Sequence, residues 1–487
     1  MSHVIGVDIG TSGIKIGAMD GNTGLDHITK QPYSLYYPKK DWVEINPQDI
    51  WIKTEQLLMA TIRKVSENGG TIDAISLSCF CNSSIFMNEK GEALLNGIMY
   101  LDQRSKEQAD SIKEWFGEED LYKVTRNRIE PGMYTVTTLL WVKETLPHLY
   151  EQTYKWGNLS TFILNKLTGQ FVMDWTQASF SGLYDVIHYR WSAQLCQKAG
   201  IDQSILPQTI SPYEQVGYFN GIPVIAGAAD TACSSLALGI KPGDMFESVG
   251  TSNVLTVCTD NPDQLDIRFL NRCYIVPNQW LSHGAMSTPG ATIQWFLKTF
   301  LEGDGEPLEL LERLPNNSNV GANGLFFLPY MQGERSPIWD PAARGVFVGL
   351  HLNSTKADML RSILEGTSFG LRQINEIIEN KYQIRCERFK SIGGGSKNKA
   401  WAQIKANVLK KEIAIQEISE TGVYGCCLIA GTAAGYFKDI SEVEGCLKNR
   451  TSYIVKPETS TLIEYDELYG KFSELYPAMK KFFKLNN

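Results

Sequence analysis

One short pattern occurs twice in this chain, half its length apart. Near the start, HVIGVDIGTSGIKIGAMD sets two β-rich apolar segments around Asp8-Ile-Gly-Thr-Ser-Gly13; in mid-chain, DMFESVGTSNVLTVCTD sets two more around Gly250-Thr251-Ser252. Each reads as a hairpin turning through a glycine-containing loop. A recurrence near residue 250 of 487 is where a duplicated, two-lobed protein begins its second half. Length points the same way, because a single core stops growing at roughly 250 to 300 residues.

Around the hairpins, strands and helices alternate. DAISLSCF and GIPVIAGAAD read as buried strands, with amphipathic stretches such as Pro47 to Val65 among them. KSIGGGS closes a later strand and leads into a helical run from Lys399 to Leu409. Residues 356–378 carry Leu360, Ile363, Leu364, Leu371, Ile374 and Ile378 at helical spacing, with Thr355 and Asp358 as a capping box. The tail from Thr461 to Lys484 puts Leu462, Tyr465, Leu468, Tyr469, Phe472 and Leu475 on one face and reads as a packing helix. The expected architecture is α/β layers, divided at Lys241-Pro-Gly-Asp244 into lobes over 1–244 and 245–487.

The bulk properties exclude several partners. No apolar run reaches about 18 residues and the first residues lack a signal-like pattern, so the expected compartment is the cytoplasm, with no membrane association. The close cysteine pairs, Cys79/Cys81 and Cys426/Cys427, have no second pair at zinc-ribbon spacing and read as reduced packing residues. A net charge of −8 without a basic cluster removes the electrostatic reason to hold nucleic acid, so any phosphate site must be local.

Such a site is legible in the first hairpin. Gly10-Thr11-Ser12-Gly13 lacks side-chain bulk, so backbone N–H groups can approach an anion while the hydroxyls donate further bonds. Asp8 stands where a carboxylate would hold magnesium through water, and Lys15 would add positive charge beside the phosphates. Gly250 and Thr251 supply a second cradle, able to grip a phosphate chain from the facing lobe. In GAADTACSSLALG, Asp230 falls at a strand-to-helix junction, where it is either an N-cap or a cleft-facing general base. In a loose phosphoryl-transfer transition state such a base mainly orients the attacking hydroxyl and takes its proton late. Gly393-Gly394-Gly395-Ser396 would let a flat ring slide against backbone, within reach of Asn398.

In this order the motifs resemble the FGGY carbohydrate kinases, over about Val4 to Phe437. The most specific stretch is GVFVGLHLNSTKADMLRSILE, Gly345 to Glu365, which is similar to the family signature; DWVEINP and YLDQRS are similar to its N-lobe landmarks. The resemblance implies two actin-like, ribonuclease H-like lobes with a nucleotide cleft between them, and ATP and Mg2+ as cofactors. It implies that Asp8 serves magnesium, that Gly10 to Ser12 and Thr251 serve the phosphates, and that Asp230 is the base. Gly290 would line the nucleotide path, and Gly394, Gly395 and Asn398 would face adenine and ribose. The sugar would sit near Cys81-Asn82-Ser83, Asp102 and Met133-Tyr134.

GLFFLPYMQGERSPIWDPAARGVFVGL is most similar to gluconate kinases, with xylulose kinases next, so the expected reaction is gluconate to 6-phosphogluconate. Two departures stand out: Asn82 replaces a family histidine, and Thr138 replaces a lysine. Burying gluconate's carboxylate unpaired would cost several kcal/mol, so the pocket must present a cation or a helix N-terminus. Arg104 and Lys15 are the candidates from sequence, Arg104 being equally readable as a surface salt-bridge residue. The expected partner is a small sugar or sugar acid, and a homodimer is compatible with the sequence. A nucleotide-gated, non-catalytic actin-like protein would explain the hairpins but leave Asp230 without a task.

Overall fold

Both hairpins form, and each seeds a sheet with the same strand order. The structure is a computed structural model describing residues 1–487 apart from 22–23, 419, 444–446, 448–449 and 486–487. In the first half, β1 (Ser2–Gly10) pairs antiparallel with β2 (Gly13–Asp20), which pairs antiparallel with β3 (Leu25–Pro32). On the other side of β1 lie β4 (Thr71–Cys79) and β6 (Ile222–Ala229), parallel to it, with β5 (Gln215–Phe219) at the edge.

The second half repeats the plan. There β7 (Met245–Val249) pairs antiparallel with β8 (Asn253–Thr259), and β8 with β10 (Trp280–Met286). Parallel to β7 run β11 (Arg388–Ile392) and β12 (Glu412–Gln416), while β9 (Leu270–Cys273) and β13 (Thr451–Val455) close the two edges. The cores β3-β2-β1-β4-β6 and β10-β8-β7-β11-β12 match strand for strand and direction for direction. The duplication read from two glycine turns is therefore a duplication of the whole layer.

Helices cover these sheets because their apolar positions recur at helical period. The first, α1 (Pro47–Glu67), is capped by Asn46 and buries Ile50, Trp51, Leu58 and Val65. α2 (Asp230–Ala237) follows β6 directly, and α3 (Pro289–Phe300) follows β10. In α4 (Lys356–Lys381) the capping box is present: the Thr355 hydroxyl accepts from the Asp358 N–H while the Asp358 carboxylate accepts from the Thr355 N–H. α5 (Lys399–Leu409), α6 (Thr421–Ala433) and α7 (Leu462–Leu485) complete the set used below. Tyr465 and Phe472 of α7 are buried as its pattern requires.

The division at residue 244 is not a division of packing. α6 belongs to the second half by sequence but lies against β1, β4 and α2 of the first. Glycines make that approach possible: a Cβ on Gly6 would sit 2.4 Å from the Val423 carbonyl oxygen, and one on Gly425 would sit 2.1 Å from that of Cys233. One core cluster accordingly joins Val4, Ala228 and Cys233 to Phe246, Ile392 and Cys426. Among the described residues no helix is long and apolar enough to cross a membrane.

Candidate active site

The two glycine turns are held open from behind. In the first, Gly10 pairs with Gly13, leaving Thr11 and Ser12 as the turn, and the Tyr33 hydroxyl donates to the Gly10 carbonyl at 2.5 Å. In the second, the Gly250 N–H donates to the Ser252 carbonyl at 2.9 Å, and the Ala291 N–H of α3 donates to the Thr251 carbonyl at 3.1 Å. Only glycine permits α3 to come this close, because a Cβ on Gly290 would meet the Gly250 oxygen at 1.9 Å. Beneath this turn the buried Glu247 carboxylate accepts from Lys405 Nζ at 2.7 Å, Ser391 Oγ at 2.6 Å and Asn253 Nδ2 at 2.8 Å. That network ties β7, β8, β11 and α5 into one rigid support.

Gly250, Thr251, Gly290, Gly394, Gly395 and Asn398 meet around a chamber of about 570 Å³, walled also by Gln294, Leu311 and Trp401. The size and the mostly apolar walls suit one small organic ligand. A side chain at Gly394 would meet nothing within 4 Å, so that backbone faces open space. Asn398 is placed here as expected, but its amide is already engaged. Its oxygen accepts from the Trp401 N–H at 2.7 Å as the cap of α5, and its Nδ2 donates to Glu312 at 3.0 Å. Only the second N–H of its Nδ2 is left for a ligand.

The two predicted carboxylates belong to one electrostatic unit. Asp8, on β1, is buried, and its Oδ1 accepts from the Ser78 hydroxyl at 2.7 Å. Burial, helped by the charges of Asp230 and Glu420, pushes its pKa up to about 6, with the Ser78 bond and Lys15 opposing. Asp230 opens α2 with Ala229, not itself, at the cap position, and its carboxylate accepts from the Thr231 N–H at 2.7 Å. Burial raises its pKa too, against the pull of Arg272 and the Thr231 bonds. Lys15 lies across from Asp8 in the β1–β2 pairing, but its ammonium is 2.7 Å from Glu420, so its charge is shared before any phosphate arrives. Asp8 presents hard oxygen donors in a place short of positive charge, which fits a magnesium ion that retains most of its water. No group of three metal-ligating side chains is gathered among the described residues.

Asp230 lies on the wall of a second chamber, about 270 Å³, that both halves of the chain enclose. Cys81, Met133 and Phe180 come from the first half; Ser252, Thr256, Arg272, His283 and Arg335 come from the second. Between the two chambers lies an open cleft of about 610 Å³, which shares Thr251 with the first chamber and Tyr100, Met133, Ser252 and Arg335 with the second. Thr11 reaches this junction through its hydroxyl, 3.3 Å from that of Tyr100.

Here the structure departs from the sequence reading, because Asn82, Ser83, Asp102, Arg104 and Tyr134 do not line this chamber. Arg104 forks onto Asp102 with Nε and Nη2 at 2.9 and 2.8 Å, and Nη2 also reaches Glu44 at 2.8 Å. The guanidinium lies 3.7 Å from the Trp42 ring centre, and Asp102 further accepts from the Val43 N–H. The landmarks DWVEINP and YLDQRS thus bind each other, and neither the cation nor the acid is free for a sugar. The Tyr134 hydroxyl donates to Asn127 at 3.0 Å, Ser83 Oγ accepts from the Leu159 N–H at 3.0 Å, and Asn82 Oδ1 accepts from Asn158 at 3.3 Å. Thr138 is fully buried, its hydroxyl donating to the Thr135 carbonyl at 2.8 Å.

Asp230, Ser252, Cys81 and Met133 line the chamber as the sequence suggested, whereas Thr256, Arg272 and His283, which line it too, went unnoticed. Thr256, His283 and Leu270 stand in one cross-strand row of β8, β10 and β9, and Arg272 follows two residues along the same face. Their signal was a cation and an imidazole at inward positions of otherwise apolar strands, in FLNRCYIV and WLSHGAM.

Residues 3–237 match the FGGY family of carbohydrate kinases, N-terminal domain, and residues 245–434 match its C-terminal domain. The chain is 29% identical to a xylulose kinase of Staphylococcus xylosus, over 98% of this chain and 100% of that protein. It is 27% identical to a gluconokinase of Bacillus licheniformis, over 98% and 96%. A crystal structure of ligand-bound xylulose kinase from Lactobacillus acidophilus superposes with a TM-score of 0.92 at 24% identity, covering 100% of both chains.

Proposed function

Because this chain belongs to the FGGY family of carbohydrate kinases, we propose that it phosphorylates a sugar acid, gluconate, at its terminal hydroxyl, using ATP and Mg2+ in the cytoplasm. One observation carries the reading: Asp230 stands in a small chamber joined, past Thr251 and Ser252, to a glycine-walled pocket of nucleotide size. A non-catalytic role is set aside by the family.

The residues divide the work by position. Gly290, Gly394 and Gly395 give the nucleotide backbone-lined walls, while the turns at Gly10–Ser12 and Gly250–Ser252 donate to its phosphates. Asp8 would hold magnesium through water, and the ion, when bound, neutralises charge on the β- and γ-phosphates. The Asp230 carboxylate accepts a hydrogen bond from the acceptor hydroxyl and aligns its oxygen. As the new P–O bond forms and the bond to the ADP leaving group breaks, the proton passes to Asp230. In this division, residues 1–244 contribute the base and one phosphate turn, and residues 245–487 the nucleotide pocket and part of the acceptor wall.

A xylulose kinase is the second reading, supported by the 29% identical relative. Coupled measurement of ADP release with gluconate, xylulose, ribulose and glycerol separates the two. Gluconate is expected to give the largest kcat/KM; xylulose in that position would replace the proposal, and ADP release independent of any polyol would end it.

A further inference from the structure

Arg272 is a buried cation with nothing to hold. Its side chain is 3% exposed, and its Nε and Nη1 are enclosed without a hydrogen-bond partner. No carboxylate among the described residues lies within ion-pair distance of it, although Asp230 and Asp174 both feel its charge. The centre of the Phe180 ring lies 4.3 Å from its guanidinium carbon, and both residues line the acceptor chamber. Beside it, His283 accepts or donates at Nδ1 with the Thr256 hydroxyl at 2.9 Å, and its buried Nε2 is also unpartnered. Arg335 contributes a second guanidinium to the lining, which thus carries two cations against the one carboxylate of Asp230. Buried charged donors are rarely left unsatisfied, so this arrangement is built for an anion that binds within it.

We propose that Arg272, with the Nε2 edge of His283, anchors the carboxylate of the acceptor, making this kinase selective for sugar acids over neutral sugars and polyols. Arg272 lies level with Cys258 across β9, β10 and β8, six residues along the strands from the Ser252 turn, and its side chain lines the same small chamber as Ser252 and Asp230. The phosphates lie at the Ser252 end. A chain-like acid held by its carboxylate at Arg272 therefore turns its opposite end toward Asp230 and the phosphates, so the terminal hydroxyl is the one transferred to. This assignment rests on the kinase reading for the position of the reacting end; the anion site itself rests on Arg272.

The test pairs gluconate with glucitol, which has the same length and a hydroxymethyl group in place of the carboxylate. Calorimetric titration into ADP-loaded protein reads the anion site without turnover, and steady-state kinetics read it with turnover. Gluconate is expected to bind about 100-fold more tightly than glucitol, the scale of one charge-assisted fork. Arg272→Met should raise the gluconate Kd by about the same factor while the glucitol Kd stays within threefold, and Arg272→Lys should recover part of the loss. Equal binding of the two ligands by the wild type overturns the proposal. So does an Arg272→Met variant with native melting that loses both ligands alike, which would mark a structural or phosphate role. Tight, Arg272-dependent binding of gluconate without its phosphorylation would instead defeat the proposed reaction while leaving the anion site standing.

Discussion

Replacing Asp8 with asparagine should stabilise the unliganded protein at neutral pH and destroy its activity. The carboxyl of Asp8 is buried beside Asp230, and its pKa rises from 3.8 to about 6. A raised acid pKa means the folded state resists ionisation. The stability of the native fold is therefore complete below the unfolded value and is lost as pH rises through the folded one. The shift of roughly 2 units, at about 1.4 kcal/mol each, places the cost of the ionised carboxylate near 3 kcal/mol above pH 7. Integrated to pH 5 the same shift costs only about 1.6 kcal/mol. Asparagine keeps an acceptor for the Ser78 hydroxyl and carries no charge. In urea titrations, Asp8→Asn should exceed the wild type by about 3 kcal/mol at pH 8 and by about half that at pH 5. Magnesium and nucleotide should narrow the gap by stabilising the wild type more than the variant. An Asp8→Asn advantage that is absent at pH 8, or the same at both pH values, would refute the burial argument.

Three further outcomes follow from the same geometry. Asp230→Asn should lower kcat by about 10²- to 10⁴-fold, the usual scale for a positioned base, with nucleotide affinity by calorimetry unchanged. Gly290→Ala drives a methyl group into the Gly250 carbonyl, 1.9 Å away, and should raise KM for ATP more than tenfold while the acceptor KM moves little. Arg104→Met leaves Asp102 and Glu44 facing each other without their cation and should cost about 3 to 5 kcal/mol in denaturant unfolding. Its gluconate Kd should stay within threefold of wild type, and a selective loss of gluconate binding would restore Arg104 as a ligand.

Much of the architecture was legible because local chemistry dictates it. Two strand–Gly-Thr-Ser–strand segments announced a repeated layer; the inward period of residues 356–378 and the Thr355–Asp358 box announced the helix that structure shows as Lys356–Lys381. The strand-to-helix junction at Asp230 was equally local. Of the acceptor chamber, Asp230, Cys81 and Met133 were legible, and its far wall only as a requirement for a cation near the sugar.

Which cation meets that requirement was decided by folding. Arg104 and Arg272 are the same residue type in sequence, and nothing adjacent to either distinguishes a tethered guanidinium from a free one. The tertiary structure brings Asp102, Glu44 and the Trp42 ring onto Arg104, satisfying it, and places Arg272 over Phe180 with two of its nitrogens unmatched. Sequence alone determined the paired lobes, the two glycine turns and the junction acid, since strand period, turn chemistry and capping act over a few residues. Only the fold determined which buried polar groups are spent on one another and which remain for a ligand, because hydrogen bonds and ion pairs close between segments far apart in the chain.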